Sequence, residues 1–193
     1  MFNEPTAILA GDGLLNNAYL VISNELKKEK NINKVCAKIS ALNELSFGVD
    51  RMIAGEYVDT EFEGQKISNE YLEYMHNNKT GALIRASVRI GAILARAEDE
   101  DLNRLTKYAE KIGLAFQIKD DILSEIGDEK ILGKPVGNDR KLGKVTFVTK
   151  YGLEKAKKWL DEVTKEAMEE IEIYKESGNF LRELALYIKN REK

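Results

Sequence analysis

Two residue types that build common structural sites are nearly missing from this chain of 193 residues. The sequence contains one cysteine, Cys36, so an internal disulfide framework is excluded. It also contains one histidine, His76, which excludes a zinc site built from several cysteine and histidine ligands. Any metal bound by this protein must therefore be held by oxygen ligands.

Long apolar runs and an excess of positive charge are missing too. No stretch approaches the roughly 20 apolar residues that cross a bilayer, and the amino-terminal residues lack the basic region of a secretory signal. The 30 basic and 33 acidic residues give a net charge of -3, which would not attract nucleic acid or anionic lipid. We expect a cytoplasmic protein without membrane insertion, whose partners are small molecules or other protein chains.

Proline is scarce, and most of the remaining sequence has helical periodicity. Only Pro5 and Pro135 interrupt a chain rich in Leu, Ala, Glu, Lys and Ile at helical spacing. This pattern predicts an all-α helical bundle in a single domain over residues 1–193. The predicted helices cover 5–26, 33–58, 68–76, 82–97, 99–126, 153–174 and 179–188.

Three features of this pattern carry further expectations. The first helix is apolar on most sides, so we expect it to be buried, with the second helix packed beside it. A kink or break is expected at Lys79, before a glycine. The segment 127–152 is rich in Gly, Lys and Asp, and it is predicted to be a basic loop or flap rather than a helix.

A narrow polar stripe runs along the predicted helix over 99–126. At about 100° per residue, Gln117, Asp120, Asp121 and Ser124 share one face, whereas most of this helix is apolar. Ionised side chains on a largely buried helix must face water or a cavity, because an unpaired charge in the core is costly. The cavity alternative predicts Mg²⁺ between the carboxylates and an anion. The other alternative is an ordinary solvated face, and the stripe alone favours neither.

Cationic side chains flank the stripe in the sequence. Lys79 and Thr80 lie at the predicted break, and more basic residues lie in the glycine-rich segment: Lys134, Arg140, Lys141 and Lys144. Cationic donors beside carboxylates are what a departing diphosphate requires. A lysine-rich loop is, however, more often only solvated, so charge alone does not decide between the two.

Four segments, in the same order along the chain, resemble the signatures of the trans-isoprenyl diphosphate synthases. They are AILAGDGLL (7–15), HNNKTGALI (76–84), GLAFQIKDDIL (113–123), and LGKPVGND (132–139) followed by GKVTF (143–147). This family, also called the polyprenyl synthetases, includes the farnesyl diphosphate synthases (geranyltranstransferases). The resemblance implies an isoprenoid synthase bundle around a central cavity, and a transferase that condenses isopentenyl diphosphate with an allylic diphosphate using Mg²⁺.

The resemblance also implies roles for individual residues. Asp120 and Asp121 would bind Mg²⁺ and the allylic diphosphate. The residues implied to bind the diphosphate are Lys79, Thr80, Gln117, Lys134 and Lys144. Those implied to act in catalysis are Lys79, Thr80, Phe116, Gln117 and Lys134, with Phe116 and Gln117 lining the cavity near the reacting carbons. The helices over 5–26 and 33–58 would form a homodimer interface.

The sequence departs from the family pattern at three points. Ser124 replaces the last acid of the usual Asp-Asp-x-x-Asp segment, and Glu56 replaces the glutamine that precedes Asp59. Family members are also considerably longer, and no Asp-Asp-x-x-Asp occurs in this sequence. We therefore expect the chain to correspond to the carboxy-terminal portion of the fold, without the first aspartate-rich motif.

These departures predict a prenyltransferase that is inactive or impaired in the form given. The alternative is a non-catalytic subunit of a two-chain prenyl diphosphate synthase. Missing helices would also leave apolar faces uncovered and promote self-association. Several other charged residues are interpreted as structural: Asp12, Asp59, Arg85 and Arg89. His76 is interpreted as a packing or capping residue near the break.

Overall fold

The computed structural model describes residues 3–62, 65, 68–127 and 145–192. Every regular element in these ranges is a helix, which confirms the all-α prediction. The helices are α1 (Glu4–Lys28), α2 (Ile32–Glu61), α3 (Asn69–Lys79), α4 (Gly81–Ala95), α5 (Asp99–Ile126), α6 (Phe147–Tyr151), α7 (Leu153–Glu170), a 3₁₀ helix (Glu172–Gly178) and α8 (Asn179–Asn190). None of these helices is long and apolar enough to cross a membrane.

Local chemistry explains where several helices begin. The side chains of Asn3, Asn31 and Ser68 accept hydrogen bonds from backbone amides in the first turns of α1, α2 and α3. Acidic residues from Asp99 to Asp101 occupy the first turn of α5, where the helix dipole favours negative charge. The predicted break at Lys79 is confirmed, because α3 ends at this residue and α4 begins at Gly81.

Three helices, α2, α4 and α5, form the layer that positions the residues of the candidate functional site. α4 packs between α2 and α5, and α7 packs on α5 from the other side. The approach of α4 to α5 is very close, since a Cβ atom on Gly113 would lie 2.9 Å from the Cα of Gly81. Glycine at this crossing therefore sets the spacing between the end of α3 and the carboxyl-terminal half of α5.

The main core lies between α5, α7 and α8. Its fully buried members include Tyr108, Ile112, Ile118 and Ile171, and the Tyr108 hydroxyl donates to the Leu181 carbonyl at 2.7 Å. Burial of each large apolar side chain contributes ~1.5–3 kcal/mol. Because this core fixes the apolar side of α5, the rotation of that helix, and with it the direction of the polar stripe, is fixed as well.

The expectation that the first helix is buried is wrong. None of the residues of α1 is buried, and Leu9 and Leu14 are 68% and 73% exposed. The expectation that it packs beside the second helix is confirmed, because α1 contacts α2. One such contact is made by Lys38, whose Nζ donates to the Glu25 carbonyl of α1 at 2.9 Å. A helix that is apolar all round is buried only where neighbours cover several of its faces, and here α2 covers one.

The prediction of a loop over 127–152 needs correction at its end. Residues 128–144 lie outside the described part of the chain, but Phe147–Tyr151 form the short helix α6. Thr146 starts this helix through a capping box with Thr149, whose hydroxyl accepts from the Thr146 amide at 2.8 Å. Phe147 and Val148 are buried against the core, so packing stabilises α6 in addition to the capping hydrogen bonds.

The helix predicted over 153–174 is shorter in the structure. α7 ends at Glu170, and a 3₁₀ helix follows from Glu172 to Gly178. Lys175 adopts a positive φ of 48°, which is incompatible with a continuous α-helix. The buried Ile171 stands between the two helices and anchors the turn.

Candidate functional site

A cavity of about 210 Å³ lies where α2, α3 and α5 meet the start of α6. Residues from four separated segments line it: Asp59, Met75, His76, Lys79, Thr80, Gln117, Asp120, Asp121, Val145 and Thr146. This set contains five of the predicted site residues. Phe116 is not among the lining residues, and Lys134 and Lys144 lie outside the described part of the chain.

Lys79 is held at the cavity by two acids of α2. Its Nζ lies 2.5 Å from Asp59 Oδ2 and 3.1 Å from Glu56 Oε2. Burial alone would lower the pKa of Lys79, but the hydrogen bonds and charges of Asp59 and Glu56 outweigh burial and raise it. The amine therefore stays cationic. Asp59, interpreted from the sequence as a structural charge, pairs with this lysine on the cavity wall.

The end of α3 can reach the acids of α2 because of Gly55. A Cβ atom at this position would lie 2.1 Å from the backbone nitrogen of Lys79, a separation that no side chain tolerates. Glycine thus allows α2 to touch the backbone at the helix break. The close contact brings Asp59, one turn further along α2, beside the lysine.

Thr80, Gln117 and Asp121 form a hydrogen-bonded chain across the cavity. The Thr80 hydroxyl donates to Gln117 Oε1 at 3.2 Å, and Gln117 Nε2 donates to Asp121 Oδ1 at 3.1 Å. The backbone amide of Phe147 donates to the other oxygen, Asp121 Oδ2, at 2.7 Å. Asp121 is only 5% exposed, so these donors replace the water that its carboxylate loses on burial.

Asp120 has a different environment from its neighbour. Its side chain is 40% exposed and pairs with Arg191, near the end of the chain. The Arg191 guanidinium also lies 4.0 Å from the centre of the Phe116 ring and donates to the Phe116 carbonyl at 3.2 Å. Phe116 thus lies beneath Arg191 rather than on the wall of this cavity. The sequence contained no local signal for Arg191, which is 71 residues away from Asp120.

His76 is the least exposed polar side chain among the residues that line the cavity. It is 4% exposed and stacks on Phe147, with 4.8 Å between the ring centres. Burial lowers the pKa of His76 to about 4, an effect only partly opposed by Asp59 and Gln117. The ring is therefore neutral near pH 7, and its packing agrees with the sequence interpretation.

The other singled-out residues lie away from this cavity. Ser124 is buried on α5 and is not among the lining residues. Arg89 joins three helices, since it donates to Glu44 of α2 and to Thr106 of α5, both at 2.7 Å. Arg85 lines a second cavity of about 410 Å³ on α4. Asp12 is exposed on α1.

The two aspartates suit Mg²⁺ better than a metal that needs a full protein cage. In the described ranges, no group of three or more His, Cys, Asp or Glu side chains could hold a metal ion. Magnesium is often bound by one or two carboxylates, and waters and phosphate oxygens complete its shell. Asp120 and Asp121 on one cavity wall, with Lys79 on another, fit an ion that also contacts an anionic ligand.

Comparisons with known proteins agree on one family. A family model described as "Polyprenyl synthetase" matches residues 1–180. The chain is 40% identical to farnesyl diphosphate synthase from Escherichia coli (strain K12) over 196 residues, and 38% identical to geranylgeranyl diphosphate synthase from Cyanophora paradoxa over 194 residues. These alignments cover 100% and 99% of this chain, but only 65% and 63% of the two relatives.

A solved structure shows the same relation. The geranylgeranyl pyrophosphate synthetase from Pyrococcus horikoshii Ot3 superposes with a TM-score of 0.79 at 29% sequence identity. The superposition covers 96% of this chain and 67% of that protein. Almost the whole of this chain therefore superposes on about two thirds of a longer protein.

Proposed function

The chain belongs to the polyprenyl synthetase family, and from that premise we propose that its cavity binds an allylic diphosphate and transfers the prenyl group to isopentenyl diphosphate. One observation supports this most directly. Lys79, Thr80, Gln117, Asp120 and Asp121 come from separate segments and line a single cavity. Cationic, hydroxyl, amide and carboxylate groups together are what the departure of a diphosphate requires.

Lys79 and Thr80 are proposed to bind the diphosphate directly. The charge on Lys79 is secure because Asp59 and Glu56 raise its pKa. An arriving diphosphate would share this ammonium group with the two acids, and the Thr80 hydroxyl would supply a second donor from the adjacent position. Charge-assisted hydrogen bonds of this kind strengthen as negative charge develops on the leaving oxygen.

Asp120 and Asp121 are proposed to hold Mg²⁺. Bound Mg²⁺ would neutralise charge on the diphosphate and so make it a better leaving group. The amides of Phe147 and Gln117 keep Asp121 oriented through hydrogen bonds to its two carboxylate oxygens. Asp120 can bind Mg²⁺ as well only after its ion pair with Arg191 is broken.

Gln117 is proposed to act next to the reacting carbons. Its Oε1 accepts from Thr80 and its Nε2 donates to Asp121, so the direction of the amide dipole is set by two partners. The carbonyl oxygen is the negative end of this dipole and would stabilise an allylic cation. Lys134 and Lys144 remain predicted ligands of the diphosphate, whereas Phe116 does not line this cavity and has no proposed role in it.

The sequence given contains no Asp-Asp-x-x-Asp segment, and we propose that its turnover is correspondingly weak. Binding of a diphosphate is then the more robust measurement. If the chain is a non-catalytic subunit of a two-chain synthase, turnover should appear only when a chain containing that segment is added. Isopentenyl incorporation with and without such a chain separates the two possibilities.

The binding test uses inorganic pyrophosphate and Mg²⁺ in isothermal titration calorimetry. We expect Lys79→Ala and Asp121→Asn each to weaken binding about tenfold or more, because each removes a charge-assisted contact. Lys165→Ala is a matched control, since this lysine is 77% exposed on α7 and pairs only with its helix neighbour Glu169 among the described residues. Equal affinity of all the variants would contradict the proposed site.

A second copy of the chain is the proposed partner for α1 and the adjoining face of α2. The exposed apolar side chains there include Leu9, Leu14, Val21 and Phe47. Contiguous apolar surface of this kind marks an interaction site, and pairing of identical faces covers it on both chains. Size-exclusion chromatography with light scattering should show a dimer that Leu9→Glu together with Leu14→Glu converts to a monomer. A monomeric wild-type protein would contradict this assignment.

A further inference from the structure

His76 is a buried polar group without hydrogen bonds on the wall of the cavity. Neither of its ring nitrogens makes a hydrogen bond of good length and angle within the described part of the chain, although the side chain is only 4% exposed and the nearby Gln117 partly opposes the lowering of its pKa. Buried side-chain polar atoms are usually paired, because an unpaired donor or acceptor loses its water without compensation. A packing role accounts for the ring carbons but leaves both nitrogens unexplained.

The position of His76 relates it to the anion-binding groups. His76, Lys79 and Thr80 are spaced i, i+3 and i+4, so they project from one side of the chain at the end of α3. The Thr80 amide donates to the His76 carbonyl, which ties the two residues together through the backbone. All three side chains line the same cavity, and Gln117 faces them from α5.

The ring is also held in a fixed orientation. It stacks on Phe147 at 4.8 Å with 20° between the planes, and Phe147 in turn meets Trp159 edge to face at 5.6 Å. Phe147 belongs to the main core cluster. A ring clamped in this way loses little conformational entropy when a ligand binds to its edge.

We propose that His76 is a further ligand-binding residue of the cavity, and that one of its ring nitrogens donates a hydrogen bond to an oxygen of the anion that Lys79 and Thr80 bind. This inference rests on the proposed function, because it assumes that the anion occupies this cavity. It adds a neutral donor to the cationic and hydroxyl groups already assigned. The second ring nitrogen remains available as an acceptor.

The neutral state of the ring suits this role. Burial lowers the pKa of His76 to about 4, so the donor carries no charge near pH 7. It can therefore direct an oxygen of the anion without adding a second positive charge beside the Lys79 ammonium group. It also does not repel the cation that the two aspartates would hold.

Nuclear magnetic resonance can observe this contact directly, because the sequence contains one histidine and its ring signals need no assignment. The measurement records the ring ¹⁵N and Hε1 signals of the wild-type protein at pH 7.5 while Mg²⁺ and inorganic pyrophosphate are added. We expect the signal of the protonated nitrogen to move to a hydrogen-bonded position as pyrophosphate saturates. Ring signals that stay in place at saturation would overturn the proposal.

The matched variant is His76→Phe, which keeps a flat ring for the stack on Phe147 and removes both nitrogens. We expect pyrophosphate affinity to fall about tenfold, the usual value of one hydrogen bond to a charged group. The unfolding temperature without ligand should stay the same or rise, since an unpaired polar group has been replaced by an apolar one. Tyr71→Phe is the control, because this tyrosine lies on α3 outside the cavity and is 50% exposed.

The outcomes separate the two proposals. Pyrophosphate binding that Lys79→Ala weakens but a folded His76→Phe leaves unchanged would overturn the role of His76 and retain the proposed function. Absence of pyrophosphate binding to the wild-type protein would overturn the proposed function, and the assignment of His76 with it. If His76→Phe does not fold, the result of the resonance experiment on the wild type decides.

Discussion

α1 and α5 are both long helices with many apolar residues, yet they have opposite environments. α1 has no buried residue, whereas α5 buries apolar side chains such as Ile112 and Ile118 in the main core. With the core on one side of α5, three residues of its polar stripe line the cavity on the other: Gln117, Asp120 and Asp121. α1 has no comparable second layer in the described chain. The difference shows that the burial of a long helix depends on how many neighbouring helices cover it, and not on its apolar content alone.

The largest expected contrast between the two helices is in unfolding free energy. Ile118 is fully buried, so Ile118→Ala should destabilise the protein by about 2–5 kcal/mol through lost burial and a residual cavity. Leu14 is 73% exposed, and Leu14→Ala should change stability by less than about 0.5 kcal/mol. Urea unfolding at low protein concentration measures both. Similar losses for the two variants would show that α1 is buried in solution.

Acid should affect the cavity side of the molecule through His76. The pKa of His76 falls from 6.5 to about 4 on folding. Between these two pH values the imidazole is therefore protonated in the unfolded chain and neutral in the folded chain. The sign follows from this: stability is complete above about pH 6.5 and declines as the pH falls towards 4, by ~3 kcal/mol in total. Unfolding measured across this range should show the decline in the wild type and a shallower one in His76→Phe. Equal slopes would mean that the histidine is hydrated in the folded state.

Two glycines allow the same comparison at the level of the backbone. A Cβ on Gly113 of α5 would lie 2.9 Å from the Gly81 Cα, whereas a Cβ on Gly11 of α1 would meet nothing within 4 Å. Gly113→Ala should therefore destabilise the protein by about 1–3 kcal/mol. Gly11→Ala should stabilise it by about 0.5–1 kcal/mol, because alanine is the better helix former. Thermal unfolding decides the two signs, and a stabilising Gly113→Ala would contradict the close crossing of α4 and α5.

The smallest expected effect lies at the cap of α6. Thr146→Val removes the hydroxyl that accepts from the Thr149 amide at 3.1 Å and should cost about 1 kcal/mol. Phe147 is the first residue of α6, and its amide donates to Asp121. A loosened cap should therefore disturb Asp121 and weaken pyrophosphate binding a few-fold as well. Ser23→Ala on the exposed α1 serves as a control and should change neither quantity. Calorimetry that finds full affinity with lowered stability would separate the cap from the site.

Helical periodicity and turn residues were sufficient to predict much of the fold. The bounds of α5 and the break after Lys79 agree with the sequence pattern, because an acidic first turn and a glycine act within a few residues. α6 was missed since its capping box of two threonines lies within a glycine-rich segment. The end of α7 at Glu170 was missed too, because nothing in the local pattern indicates the 3₁₀ helix that follows it.

For the candidate site too, the sequence predicted some features and only the structure showed the others. Residue spacing together with the family resemblance identified Lys79, Thr80, Gln117 and the two aspartates as candidates, and the structure places all of them around one cavity. The sequence offered no reason to pair Lys79 with Asp59, 20 residues before it, or Asp120 with Arg191. Their partners depend on how helices cross, which local periodicity does not specify.

By itself, the sequence determined the helical class, the polar stripe of α5 and the chemical kinds of group at the site. These properties depend on interactions between residues a few positions apart, which a linear pattern records. Only the tertiary structure decided that α1 is exposed, that Asp59 and Arg191 engage site residues, and that His76 is buried with both nitrogens unpaired within the described chain. Burial and pairing between distant segments depend on which surfaces meet, and that is settled by the packing of the whole bundle.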